Sequence, residues 1–169
     1  MQQIVLPIKD SNVLKMVQDT LLDSFRAGRR NYTIFQVGKA TLLRVSDVMR
    51  LKKSDVYNPD GTVKNYHDWL VQQNINSDWL FPSTAHPDRH ITEKQFYKVM
   101  SRVGDLLGIN YLGTHTMRKT GAYRVYTQSN YNIGLVMNLL NHSSEAMTLA
   151  YLGLDQASTE TMLDQIDFG

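Results

Sequence analysis

The chain contains no cysteine. Disulfides, zinc sites built on thiolates and thiol nucleophiles are therefore excluded, and a cytoplasmic setting is the simpler expectation. Long apolar runs are also missing, since the longest extend over a few residues, far short of the ~20 that a membrane-spanning helix requires. The opening Met-Gln-Gln-Ile-Val-Leu-Pro lacks the charged-then-apolar layout of a secretory signal. Positive charge disappears toward the C-terminus. After Arg124 there is no lysine or arginine, but there are five acids: Glu145, Asp155, Glu160, Asp164 and Asp167. That stretch cannot form part of a polyanion-binding surface. What remains is ordinary, with 169 residues, 42% of them hydrophobic and 20% charged, enough for one domain with its own core. The basic residues gather at the front: residues 1–64 hold 11 Lys/Arg against 6 Asp/Glu, and residues 65–169 hold 7 against 10. A basic front suits a polyanion, because phosphate neutralisation supplies much of nucleic-acid affinity. Solvated helix faces produce the same count, so charge alone leaves both readings open.

Residues 10–28 read as a helix capped by Asp10 or Ser11, with Leu14, Val17, Leu21 and Phe25 at helical spacing and Gly28 breaking the pattern. A second helix is expected over Asn31–Leu43 and a short one over Ser46–Leu51, followed by an extended piece, Lys53–Tyr57. Asn58-Pro59-Asp60-Gly61 is a turn signal that joins two strands. Only Thr62, Val63 and Lys64 follow it before a helical pattern at Tyr66–Gln73, whereas a hairpin partner needs roughly five residues. Trp79-Leu80-Phe81-Pro82 reads as a brief buried segment. Helices are then expected over Thr92–Leu107, stopped by Gly108, and over about Thr116–Thr127, Asn132–Leu140, Glu145–Leu152 and Ser158–Ile166. The fold class is mainly α with a small β-sheet or hairpin, in one domain without repeats.

Three local patterns carry chemistry. Thr41-Leu42-Leu43-Arg44-Val45-Ser46-Asp47-Val48 sets one arginine in an apolar stretch, with an acid three residues later. His115-Thr116-Met117-Arg118 puts an imidazole and a guanidinium on one helical face. Leu139-Leu140-Asn141-His142-Ser143-Ser144 is followed by Thr148 and Tyr151. Singly, each has a structural reading: Arg44 paired with Asp47, His115 and Arg118 as surface polar groups, Tyr151 as a core tyrosine with a satisfied hydroxyl. His67-Asp68 and His86-Pro87-Asp88 read as isolated surface pairs, so no metal site is expected.

In this order the three patterns resemble the tyrosine recombinase (phage integrase) family over about residues 10–155. The resemblance implies a catalytic domain of the DNA breaking-rejoining type. Arg44 matches the family's first arginine, His115 and Arg118 its histidine-x-x-arginine box, His142 the following histidine, and Tyr151 the nucleophile. A site-specific DNA recombinase that cleaves and rejoins DNA through a covalent 3′-phosphotyrosine is what this implies. The chemistry is consistent. Two guanidiniums can clamp the non-bridging oxygens of a pentavalent phosphorus with charge-assisted, bidentate hydrogen bonds, as lysine cannot. His115 and His142 can donate to the same oxygens or handle protons near neutral pH. A tyrosine with a pKa of ~10 is phenolate in only about one molecule in a thousand at pH 7. The cationic cluster must therefore favour phenolate, or a base must take the proton from Tyr151.

The resemblance further implies no cofactor, no metal, and a homo-tetramer assembled on double-stranded attachment sites. Arg29, Arg30, Lys39, Lys119 and Arg124 are the expected contacts to DNA. The family's general acid is a lysine on a β-hairpin ahead of the histidine-x-x-arginine box, and Lys64 is the only lysine after the turn here. Either the hairpin is lost or residues are missing near Lys64–Tyr66, and the abrupt change of pattern there favours the second. Lys119 stands where many members have histidine. Residues 1–9 resemble the remnant of an interdomain linker, with an N-terminal DNA-binding domain absent, and 153–169 an acidic tail that docks a helix on a neighbouring protomer or on its own chain. Two alternatives stay open: a DNA-binding module of this fold that lost catalysis, and an enzyme like the type IB topoisomerases.

Overall fold

The computed structural model describes residues 4–56, 69–167 and 169. Among them the secondary structure is helical: α1 (Ser11–Asp23), α2 (Gly28–Thr41), α3 (Val45–Met49), α4 (Lys53–Val56), a turn of helix over residues 69–72, α5 (Glu93–Leu107), α6 (Thr116–Gln128), α7 (Ile133–Leu140), α8 (Glu145–Tyr151) and α9 (Gln156–Leu163). No sheet forms among the described residues. Pairing is limited to two isolated antiparallel bridges, Lys52 with Trp79 and Pro82 with His90. The expected hairpin and Lys64 lie outside the described residues.

Local chemistry explains the helix ends. The Asp10 carboxylate accepts from the amides of Asn12 and Val13 at 2.7 and 3.0 Å and starts α1. Thr92 and Gln95 form a reciprocal capping box at α5, and Gly108 ends that helix at φ +67°. α1 ends at Asp23 with Ser24 as its cap, short of the expected end, and Gly28 opens α2 rather than closing α1. Lys53–Val56 is helical, against the extended expectation. The Asp55 carboxylate reaches back to the Lys52 amide (2.8 Å) and the Asp78 carbonyl accepts from the Lys53 amide (2.9 Å). Those bonds outweigh the local preference of a four-residue piece.

One core gathers α1, α2, α3 and α5 around Phe35, Phe81 and Phe96, all fully buried. The segment ahead of α1 packs against it, with Leu6 and Ile8 each 1% exposed. The Leu6 amide donates to the Tyr111 carbonyl (3.1 Å) and the Ile8 amide to the Thr120 hydroxyl oxygen (3.0 Å), so its backbone is satisfied there. A smaller cluster of Ala122, Val136, Leu140 and Leu152 joins α6, α7 and α8, with Tyr151 packed against it.

The two parts meet where α2 crosses α6. A Cβ at Gly38 would fall 2.2 Å from the Met117 sulfur, and one at Gly121 would fall 2.0 Å from the Lys39 carbonyl oxygen. Glycine at both positions lets the helices approach this closely.

Candidate functional site

The crossing of α2 and α6 places the end of one helix against the start of the other. α2 closes on Leu42 in the left-handed conformation (φ 58°), which turns the Leu42 carbonyl toward α6. There it accepts from Arg118 Nε at 2.6 Å. One edge of the guanidinium is thereby fixed, while Nη1 points at the Tyr151 hydroxyl, 3.4 Å away. Arg44 follows two residues after Leu42, exposed at the N-cap of α3, and its charge reaches Tyr151. Asp47 faces Arg50 at 3.6 Å, the helical i,i+3 neighbour.

His142 arrives from the other side. Asn141 ends α7 at φ 55°, and the His142 amide donates to the Met137 carbonyl (2.9 Å). Its imidazole meets the Tyr151 ring edge-on, with centroids 5.1 Å apart and planes 77° apart. Nδ1 lies 2.9 Å from the hydroxyl oxygen of Thr148, a fully buried residue one turn before Tyr151 on α8. Ser144 caps that helix by accepting from the Met147 amide (3.2 Å). His115 is the N-cap residue of α6, within the charge reach of Arg118 and Lys119.

The electrostatics set the proton inventory. Burial pushes the Tyr151 phenol above its ordinary value, outweighing the opposing charges of Arg118 and Arg44 and the hydrogen bond from Arg118. Burial and then Arg118 pull His142 below the usual histidine value. His115 is also lowered, first by burial, then by Lys119 and Arg118, with Glu93 opposing them. The cationic cluster alone therefore does not make Tyr151 a phenolate, and both histidines favour the neutral form.

Of the catalytic candidates, the structure brings Arg118, His142 and Tyr151 into direct contact, with Arg44 and His115 at the rim. The basic candidates divide. Arg29 is exposed on α2, but Arg30 is not a surface cation: it is 8% exposed and donates to the Pro82 carbonyl (3.2 Å) and to Asn31 Oδ1. Its expected contact with DNA is corrected, because the guanidinium bonds fold elements together from inside. Lys39 donates to Gln18 Oε1 (2.6 Å), and burial and the neighbouring Arg124 charge pull its ammonium down. Lys119 donates to the Val5 carbonyl (2.6 Å). The third pattern contains Thr148 without giving it a role, and nothing in the sequence points to the Leu42 carbonyl. A threonine three residues before the tyrosine carried a helical-spacing signal, whereas a left-handed leucine carries none.

Comparison with known proteins bears on the fold and the family. The chain is 29% identical over 174 residues to "Probable integrase/recombinase YoeC" of Bacillus subtilis (strain 168), covering 92% of this chain and 93% of that protein. Its structure resembles XerH site-specific recombinase bound to palindromic difH substrate in a post-cleavage complex, with a TM-score of 0.68 and 18% identity over 97% of this chain. It also resembles XerA recombinase, with a TM-score of 0.65 and 20% identity over 98% of this chain. The chain spans 53% of the XerH chain and 65% of the XerA chain, and at these identities the likeness shows a shared fold. Residues 59–158, more than half of the chain, match the phage integrase family, and they carry His115, Arg118, His142 and Tyr151 while Arg44 precedes them. The chain belongs to the phage integrase family.

Proposed function

We propose that this chain is the catalytic domain of a site-specific DNA recombinase, with Tyr151 as nucleophile and Arg44, Arg118, His115 and His142 around the scissile phosphate. The observation that carries the reading is the contact of Arg118 Nη1 with the Tyr151 hydroxyl at 3.4 Å, from residues 33 positions apart. The Leu42 carbonyl occupies Arg118 Nε and leaves the Nη groups for phosphate oxygens. Arg44 supplies the second guanidinium from the turn after Leu42. A neutral His142, or His115, accepts the phenol proton as the Tyr151 oxygen attacks phosphorus. The bond to the 5′ oxygen breaks, and the phosphate is joined to Tyr151 through its 3′ side. A 5′ hydroxyl of another strand then attacks the phosphotyrosine, restoring a phosphodiester and releasing the phenol. The bond energy is retained throughout, so no ATP enters the scheme, and the two guanidiniums supply the charge stabilisation that a metal would otherwise give. Duplex attachment sites and a tetramer on DNA belong to the same proposal, as does Lys64 as proton donor to the leaving oxygen. The fold and family support it, as do the relatives' names.

A pool of 5′-labelled, nicked duplexes with randomised sequence tests the reading. The wild-type protein is expected to yield a detergent-resistant adduct, and Tyr151→Phe none. An adduct persisting in Tyr151→Phe sinks the assignment. Binding without an adduct in wild-type protein moves the non-catalytic DNA-binding module ahead, and relaxation of supercoiled plasmid without strand exchange moves the topoisomerase-like reading ahead.

A further inference from the structure

Lys119 is bonded within the fold rather than extended into solvent. Its ammonium donates to the Val5 carbonyl at 2.6 Å and lies over the Tyr151 ring, 4.9 Å from the centroid. Arg118 lies over the same ring at 5.7 Å and His142 meets its edge. Of these three neighbours, Lys119 is the one anchored in the extended segment ahead of α1. That segment also grips the chain beyond the tyrosine, because Lys9 Nζ donates to the Gly153 carbonyl at 2.5 Å. A cavity of about 320 Å³ opens beside the Lys119–Val5 contact, bordered also by Ala150 and Asp155. Asp155 Oδ1 is buried there without a hydrogen-bond partner among the described residues, and its charge reaches both Lys9 and Lys119. Tyr151 is thus held through Lys119 on its ring and through Lys9 on the carbonyl two residues later.

We propose that Lys119 is a positioning residue that couples the extended segment over residues 4–9 to the nucleophile. The Val5 carbonyl holds the ammonium on the Tyr151 ring, and displacing the segment releases the ring. A cation over an aromatic face is attracted to it, and more strongly once the phenol carries negative charge. The groups facing Tyr151 are Arg44 ahead of α3, Arg118 and Lys119 on α6, and His142 ahead of α8; Asp155 and Lys9 face Lys119 from the far side. The inference rests on the reading of Tyr151 as nucleophile, but its test reads the phenol and needs no DNA.

The experiment installs 3,5-difluorotyrosine at position 151, which ionises nearer neutrality than tyrosine, and follows its titration by fluorine NMR. Lys119→Met is expected to raise the midpoint by about one pH unit, the scale of a unit charge acting over several ångströms in a half-buried site. Lys119→Arg keeps a cation on the ring and is expected to restore the wild-type midpoint. Gly113→Ala leaves Lys119 intact but places a Cβ 2.7 Å from a Val5 methyl, pushing the segment aside, and is expected to move the midpoint in the same direction. An unmoved midpoint in folded Lys119→Met overturns the proposal. A shift in Lys119→Met with none in Gly113→Ala overturns the coupling to the segment. If Lys119→Met does not fold, Lys119→Gln replaces it with the same expected and overturning outcomes. Wild-type protein that forms no DNA adduct while the titration shifts appear as expected would instead count against the recombinase reading.

Discussion

At the scale of single residues, the pairing of His142 with Thr148 decides which imidazole nitrogen carries the proton. The Thr148 hydroxyl lies 3.4 Å from the Ser144 carbonyl, which can only accept, and 2.9 Å from Nδ1. With the hydroxyl proton given to Ser144, Nδ1 carries hydrogen and Nε2 keeps its lone pair in the neutral ring. Thr148→Val conserves shape and removes this partner. Adduct formation is expected to fall about tenfold, roughly the worth of one buried hydrogen bond, with Thr148→Ser restoring it. Single-turnover cleavage rates, with thermal unfolding as a control, check this. The same histidine makes stability depend on pH. His142 and His115 are both lowered in the folded state, so the unfolded chain binds more protons between the lowered values and ~6.5. Their contribution is present above ~6.5 and is lost as pH falls through that window. The urea midpoint is expected to be lower at about pH 5.5 than at pH 7.5, and His142→Gln should narrow the gap.

At the scale of elements, the site depends on how α2 meets α6. Glycine at positions 38 and 121 brings the Leu42 carbonyl within reach of Arg118, and Arg44 follows from the same turn. Gly121→Ala would drive a Cβ into the Lys39 carbonyl. It is expected to destabilise the fold by about 1–3 kcal/mol and to slow cleavage further by parting Arg44 from Arg118. Equilibrium urea unfolding and cleavage at low denaturant separate the two effects. The longer helices were legible in the sequence because apolar residues at helical spacing, with Asp10, Thr92 and Gly108 at the ends, mark an amphipathic helix locally. Lys53–Val56 was not legible, because one of the bonds that make it helical comes from Asp78, far along the chain. The left-handed Leu42 was hidden for the same reason, since its carbonyl is claimed by a residue 76 positions away.

At the scale of the whole molecule, Arg29 and Arg30 show that neighbouring cations need not share a surface. Phosphate contacts appear in the salt dependence of binding, about one unit of log–log slope for each. Arg29→Ala is expected to flatten that slope for duplex DNA, measured from 50 to 200 mM salt. Arg30→Met should leave the slope unchanged and lower the urea midpoint, because it removes a buried donor to Pro82. Toward the C-terminus, α9 packs on its own chain through Ser158 and Met162, while Leu163 and Ile166 remain about half exposed. Docking of the tail on a neighbouring protomer stays within the proposed tetramer.

The sequence by itself determined the periodic helices, the absence of thiol chemistry, and the order of Arg44, His115, Arg118, His142 and Tyr151 that marks the family. Those properties are local, or a matter of spacing along one chain. Tertiary structure alone decided that Arg30 is buried, that residues 6–8 are core, that Thr148 orients His142, and that Lys119 bridges Val5 and Tyr151. Each rests on a contact whose partner is set by how helices cross and how burial trades against hydrogen bonding, and that crossing is a property of the packed whole.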